Sequence, residues 1–419
     1  MMLRCVILCV FFLLLTQNVC SKGIDAQFSG FATLGATYSD SDELKLRTDL
    51  LNNAHGGLTF KNDSNIGLQV NLDIATKWDA VGQLVLQDRI KKSADDYLEL
   101  AFIRYRPNRY WSLRAGRVNS DLYYLSEYQY VGYAYLWSQP PNEFYSPATS
   151  AANFDGFDIE YKNNVGDGFF KIRMGYGATH PELGGMAGQF AFSLENFSAL
   201  SASYQLDNWL LRATHSQANL EDLKSPFIST SVLIFSQVPS SLWPASLDVL
   251  KDIDISGKST AYDALGLSYD GNVWLFHSEI GVSKNDWLAL SSSITAYTTL
   301  GYVQDDITYF VSLSGIKNRH KLVAYNSPML DPNLPVELRE YVNSVSNGLT
   351  SILNGRAARQ ATISLGLKYD FRQNMALKLQ VDHSNISPRG SALWKVTNTS
   401  IQTSRHKVNT FSLSLSMLF

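Results

Sequence analysis

Asp382, His383 and Ser384 set a carboxylate, an imidazole and a hydroxyl side by side, the three residue types of a nucleophilic hydrolase. Their spacing works against that chemistry. Neighbouring residues on a strand point to opposite faces, so His383 could not serve as base for Ser384. No G-x-S-x-G elbow, H-E-x-x-H pair, P-loop or G-x-G-x-x-G turn is found in the chain. The seven histidines have no ligand spacing, and Cys5, Cys9 and Cys20 all lie in one apolar stretch at the start. No enzyme, metal site or cofactor is therefore expected. What remains is charge at alternate positions: Arg104 and Arg114, Asp158 and Glu160, Lys171 and Arg173, Arg212, His277 and Glu279, Lys368 and Asp370, Lys378 and Asp382. Such charges around a wet lumen order polar solutes and bias ions.

A side chain returns to the same face at every second residue only on a strand. The C-terminus shows the pattern: Phe411, Leu413, Leu415, Met417 and Phe419 are apolar, Ser412, Ser414 and Ser416 polar, and Leu418 alone breaks the rule. Ile363 to Phe371 repeats it against Ser364, Gly366, Lys368 and Asp370, as does Ile66 to Ile74 against Gly67, Gln69, Asn71 and Asp73. At 45% hydrophobic residues, nine correct positions in a row arise by chance in roughly one window of 600. Several such windows, each bounded by turn residues, specify strands.

About sixteen such segments are expected, near 27–38, 64–75, 78–88, 97–106, 110–117, 153–162, 168–178, 192–206, 209–217, 260–269, 272–283, 292–303, 307–317, 359–371, 374–384 and 407–419. Very short links such as Asp207-Asn208, Asp270-Gly271 and Arg372-Gln373 alternate with long ones at 118–152, 218–259, 318–358 and 385–406. The reading is an all-β, antiparallel up-and-down meander with one tight rim and one loop-rich rim. Helical spacing at 335–352 (Leu338, Val342, Val345, Leu349) and a shorter stretch at 240–251, capped by Ser240 or Ser241, predict two amphipathic lids over the mouth.

Strands of this length suit a tilted membrane crossing. The face opposite the apolar one carries Lys, Arg, Asp, Glu and Gln, which suits a water-filled interior. Trp78, Tyr105, Tyr161, Trp209, Tyr269, Tyr302 and Tyr369 gather at the tight-turn ends, where a headgroup belt belongs. Lipid outside then demands closure into a transmembrane β-barrel. Composition agrees. Of 419 residues, 17% are charged, with 35 Lys+Arg against 38 Asp+Glu, which excludes a disordered chain and gives no basic excess for nucleic acid. Arg4, the apolar run Cys5 to Leu15 and polar Thr16-Gln17-Asn18 have the order of a secretory signal, expected to be cleaved after Ser21. That leaves 22–419 as a single, cysteine-free barrel domain.

The signal, the barrel pattern and the strand ending in Phe419 resemble the Gram-negative outer-membrane porins. Trp111-Ser112-Leu113-Arg114-Ala115-Gly116-Arg117, then Val131-Gly132-Tyr133-Ala134-Tyr135-Leu136-Trp137 and Pro140-Pro141-Asn142-Glu143-Phe144-Tyr145, look like a proteobacterial porin-like branch. The resemblance implies sixteen strands, a homotrimer, and a third external loop, 118–152, folded inward as a constriction. It also implies that the barrel-assembly machinery reads Phe419, and that lipid and lipopolysaccharide surround the wall. Strand parity and this loop make Arg104, Arg114, Arg117, Lys171, Arg173 and Arg212, facing Asp121, Glu127 and Glu143, the expected pore-lining set. Glu99 has lipid-facing parity if Arg104 faces in, so a bulge or rim position must intervene there. The implied function is a passive outer-membrane channel for small hydrophilic solutes and ions. The alternatives are a solute-specific porin for sugars or small acids, or a non-channel barrel acting as receptor or adhesin.

Overall fold

The computed structural model describes residues 25–419 except 186–187, 237–244, 289, 291, 320–322, 324–329, 331, 334, 355 and 398–402. The expected export signal and the helix start at Ser240 or Ser241 lie outside the described residues. Sixteen long strands build the wall. The first eight are β1 (Asp25–Ser39), β2 (Asn65–Ala75), β3 (Trp78–Gln87), β4 (Leu98–Tyr105), β5 (Trp111–Asn119), β6 (Asn153–Val165), β7 (Gly168–Thr179) and β8 (Gly188–Leu206). The second eight are β9 (Trp209–Lys224), β10 (Ser259–Asp270), β11 (Trp274–Asn285), β12 (Ser293–Gln304), β13 (Ile307–Asn318), β14 (Ala358–Arg372), β15 (Met375–Ser391) and β16 (His406–Leu418). Each pairs antiparallel with its sequence neighbours, and β1 pairs with both β2 and β16. The barrel is closed. Two short strands, Gly57–Thr59 and Glu182–Gly185, add to the sheet at the long-loop rim, and Leu44–Leu46 pairs separately with Trp394–Val396.

Closure is completed by the last residue. Phe419 donates its N–H to the Gly30 carbonyl at 2.9 Å and accepts from the Gly30 N–H at 2.7 Å. Its ring covers Gly30 so closely that a Cβ there would stand 2.4 Å from a ring carbon. Glycine at position 30 is thus a packing requirement.

The strands are held in register at the tight rim by one repeated device. A Trp opens a strand after a turn, and a Tyr stands directly opposite on the next: Trp78 with Tyr105, Trp111 with Tyr161, Trp209 with Tyr269 and Trp274 with Tyr302. Their ring centroids lie 4.5, 4.8, 4.8 and 5.0 Å apart, the separation of favourable aromatic pairs. Asp207 and Asp305 take the left-handed turn conformation, with φ of 48° and 53°, which Asp tolerates.

Burial is inverted relative to a water-soluble domain. Leu34, Leu68, Ile103, Leu211, Leu265, Ile280, Leu313, Leu365 and Leu413 are exposed on the outside, while Arg212, Thr214, His277, Glu279, Thr299, Ser312, Lys378, Gln380, Ser412 and Ser414 are buried within. That arrangement is stable only with hydrocarbon around the wall. Beyond the strands, Val336–Asn354 is helical, as its spacing predicts, and buries Val342 and Leu349. The second expected helix is seen as Ser246–Ile253, and Pro226–Ser236 forms a further helix that the sequence pattern did not suggest.

The inversion has a measurable signature. Leu313→Arg, on the outer face, should cost about 2–4 kcal/mol in folding into lipid vesicles. Gln83→Arg, on the inner face, should cost little. Reversible urea titrations of both proteins in vesicles would compare the two.

Candidate functional site

The long segment 118–152 enters the barrel and binds its inner wall. Asp121 begins it. The Asp121 carboxylate accepts from Ser201 Oγ on β8 at 2.6 Å and from Arg212 Nη2 on β9 at 2.8 Å, and its carbonyl takes a second bond from the same nitrogen. Burial pushes the Asp121 carboxyl up, but the Arg212 and Arg173 guanidiniums outweigh it and hold it well below the usual carboxylate range. The Tyr124 N–H donates to Glu279 on β11 at 2.9 Å. Trp137 Nε1 donates to Thr299 on β12 at 3.2 Å. Glu143 accepts from Ser314 on β13 at 2.8 Å and from Gln360 and Thr362 on β14.

The far end of the loop is held by β15, β16 and β1. Lys378, only 1% exposed, donates from Nζ to the Trp137 carbonyl at 2.8 Å and to the Gly132 carbonyl. Ser138 donates to Ser414 at 2.8 Å, and Gln139 reaches Thr37 at 3.0 Å and Asp63 at 2.8 Å. Every strand from β8 through β16 thus contributes a side chain to the loop, β10 through Asp270, which accepts from Tyr124 Oη at 3.3 Å, and β1 completes the arc. Its packed core is aromatic: Tyr145 meets Tyr123 edge-on at 5.2 Å, and Phe144 meets Tyr297 at 5.2 Å.

The opposite wall is left open. A cavity of about 510 Å³ runs along β2 to β7, lined by Gln69, Asn71, Gln83, Arg104, Arg114, Glu160, Lys162, Lys171 and Arg173, with residues 126–131 of the loop as its far side. Its guanidiniums are braced. Arg104 Nε and Nη2 lie 2.9 and 2.7 Å from Asp79 Oδ2, and Arg114 Nε lies 3.0 Å from Asp158. Arg173 is shared by Glu160 at 2.5 Å and Glu127 at 2.9 Å. Burial raises the Glu127 carboxyl, but Lys171 and Arg173 more than offset this and hold it below its ordinary range.

The expected residues thus divide into groups. Arg104, Arg114, Lys171, Arg173 and Glu127 meet in this cavity. Arg212, Asp121 and Glu143 are buried and anchor the loop instead. Arg117 stands apart at the long-loop rim, 2.8 Å from Asp155 and 3.0 Å from Asp95.

A further group gathers around Glu99, where the sequence required a bulge or a rim position. Glu99 is 4% exposed, accepts from Arg89 and from Asn153 Nδ2 at 3.0 Å, and Arg89 also donates to Tyr130 Oη at 3.2 Å. A register shift between Gln83–Leu100 and Leu84–Leu98 turns Glu99 inward, the re-aiming that a bulge provides. Glu99, Tyr130, Ala152 and Asn153 line both the main cavity and a smaller one of about 100 Å³ at the rim, so they stand between the two. The odd parity of Glu99 was its only signal in the sequence. Arg89 and Tyr130 lie outside strands, where parity says nothing.

The closed barrel of sixteen strands superposes on solved outer-membrane barrels. The fold is that of the outer-membrane porins. Salmonella typhi OmpF in complex with daunomycin superposes with a TM-score of 0.53 at 12% identity, covering 95% of this chain and 98% of that one. The anion-selective porin of Comamonas acidovorans gives 0.52 at 12% identity over 94% and 100% of the two chains. In-vitro folded OmpT of Vibrio cholerae, an outer-membrane protein in trimer form, gives 0.51 at 10% identity over 95% and 100%. No protein-family model matches the chain, nor does any curated protein sequence. As a porin-fold barrel with an apolar outer wall, it belongs in the outer membrane of a Gram-negative cell.

Two measurements probe the anchored loop. Lys378→Met strips the Gly132 and Trp137 carbonyls of their donor and should destabilise the folded barrel by roughly 2–4 kcal/mol. Lys395→Met, at an exposed side chain, should not; urea midpoints compare them. Burial pushes the Asp63 carboxyl up to about 6 despite its bonds from Thr37 and Gln139. A raised acid favours its protonated folded form, so this contribution is full below about pH 4 and lost as pH rises through 6. The melting temperature in detergent should fall over that window, and the fall should shrink in Asp63→Asn.

Proposed function

We propose that the protein is a passive, water-filled channel for small hydrophilic solutes and ions, assembled as a homotrimer within outer-membrane lipid and lipopolysaccharide. One observation carries this reading: the loop is bonded along one side of the barrel, and the side it leaves holds a polar, charged cavity of about 510 Å³. Solutes pass between residues 126–131 and the β2–β7 wall, and the throat at Glu99, Tyr130 and Asn153 sets the size limit. Arg104 and Arg114 line the wall side of the path, and Glu127, paired with Arg173 and Lys171, stands at its loop side; the field between them orients dipolar solutes. Arg212, Asp121 and Glu143 act by holding the loop, and Arg117 acts at the mouth. Residues 1–21 direct export, and Phe419 is the mark read by the barrel-assembly machinery.

Among the side chains that touch the cavity, cations outnumber carboxylates, although Asp79 and Asp158 behind Arg104 and Arg114 offset part of the excess. Arg104, Arg114, Lys162, Lys171 and Arg173 stand against Glu99, Glu127 and Glu160. Planar-bilayer recording of the folded protein should show stable openings with an anion-leaning reversal potential in a salt gradient; silence from folded protein would overturn the channel reading. Lys171→Glu should move the reversal potential toward cations, and Tyr130→Ala should raise single-channel conductance.

A further inference from the structure

A third cavity lies on the other side of the loop, at the long-loop mouth. It has a volume of about 150 Å³, and its wall is apolar, with Leu122, Leu183, Phe192, Leu194 and Phe197 prominent. Its lining also includes Arg356. No carboxylate lies within ion-pairing distance of this guanidinium among the described residues. It lies over the ring of Phe190, 4.1 Å from Cζ to centroid, and Phe190 stacks in turn on Phe192 at 5.8 Å.

The surroundings give Arg356 more positive charge. Arg47, 6% exposed, donates from Nη1 to the Gly184 carbonyl at 2.7 Å, while its Nε has no partner. It too forms no ion pair among the described residues, although the nearby Asp49 carboxylate favours its charge. Burial, and then the charge of Arg47, push Arg356 down to about 10. A half-buried guanidinium without a counter-charge is costly to hold, and a second cation nearby adds to the cost. The hydroxyl of Tyr262, which also lines this cavity, is buried without a hydrogen-bond partner.

We propose that this cavity is a binding site for a small monocarboxylate with an apolar body, such as an aromatic or branched-chain acid. The carboxylate meets the Arg356 fork edge-on, because the ring of Phe190 already occupies one face of the guanidinium and leaves its in-plane donors available. The apolar body lies against Phe192, Leu194 and Phe197. Tyr262 supplies a hydroxyl for a polar substituent or for the carboxylate itself. The site faces the cell exterior, since long loops mark that rim of a barrel, and it lies off the charged path along β2 to β7. It therefore captures its ligand whether or not the barrel conducts, so its test is independent of the channel reading.

Isothermal titration calorimetry of the full folded barrel in detergent tests the site with benzoate, benzyl alcohol, acetate and benzylamine. Benzoate should bind at least about tenfold more tightly than the neutral alcohol or acetate, and benzylamine should not bind. Arg356→Gln should weaken benzoate about tenfold while leaving single-channel conductance unchanged. Arg356→Lys, which keeps the charge but not the fork, should retain part of the affinity and serves where the Gln variant folds poorly. Phe192→Ala should weaken benzoate without affecting acetate. Equal binding of benzoate and benzyl alcohol, or undiminished benzoate binding by both Arg356 variants, would overturn the assignment.

Discussion

Hydrocarbon offers the backbone no hydrogen bonds, and the rest of this molecule depends on that constraint. Each unpaired peptide group in lipid costs several kcal/mol, so no strand edge can be left open. The Phe31–Leu418 to Ser39–Thr410 register, with Phe419 bonded to Gly30, is therefore a condition for insertion. The same constraint decides which face is apolar. Leu313 is 58% exposed and Lys378 1%, values that would signal misfolding in water and here mark the proper sides of the wall.

Closure creates a second problem, because sixteen strands enclose more space than their own side chains fill. The loop 118–152 answers it on one side only. It is secured by charged and polar bonds, which are strong when shielded from water but costly when incomplete. Asp121 illustrates the balance: two guanidiniums, a serine and a left-handed backbone fix one carboxylate. The arginines across the open path are likewise each tied to a wall carboxylate, so their charge is displayed in a fixed position.

The strands were legible because period-2 alternation survives wherever one face meets lipid and the other water. The expected 307–317 and 260–269 differ from the observed strands by a residue at an end or less. Legibility fails where that contrast ends. β9 runs on to Lys224, seven residues past its expected end, because His215, Gln217, Asn219 and Glu221 are outward yet polar above the lipid. β15 continues in the same way from 384 to Ser391. Parity placed Arg104, Arg114 and Arg212 on the inner face alike, but which of them would meet water depended on the path of the loop. That path is fixed by bonds between residues hundreds of positions apart, which local patterning does not encode. The helix Pro226–Ser236 went unread because its serines interrupt the apolar spacing.

The bonds that hold the loop also impose an order in time. Ser138 is joined to Ser414 across 276 positions, and Trp137 to Lys378 across 241. Contacts of such separation form late, after the loop-closure entropy between them has been overcome. The segment is synthesised before eleven of the sixteen strands of the wall. Until β15 and β16 are in place it has no complete berth, so the narrowing of the lumen and the sealing of the barrel are the same final event.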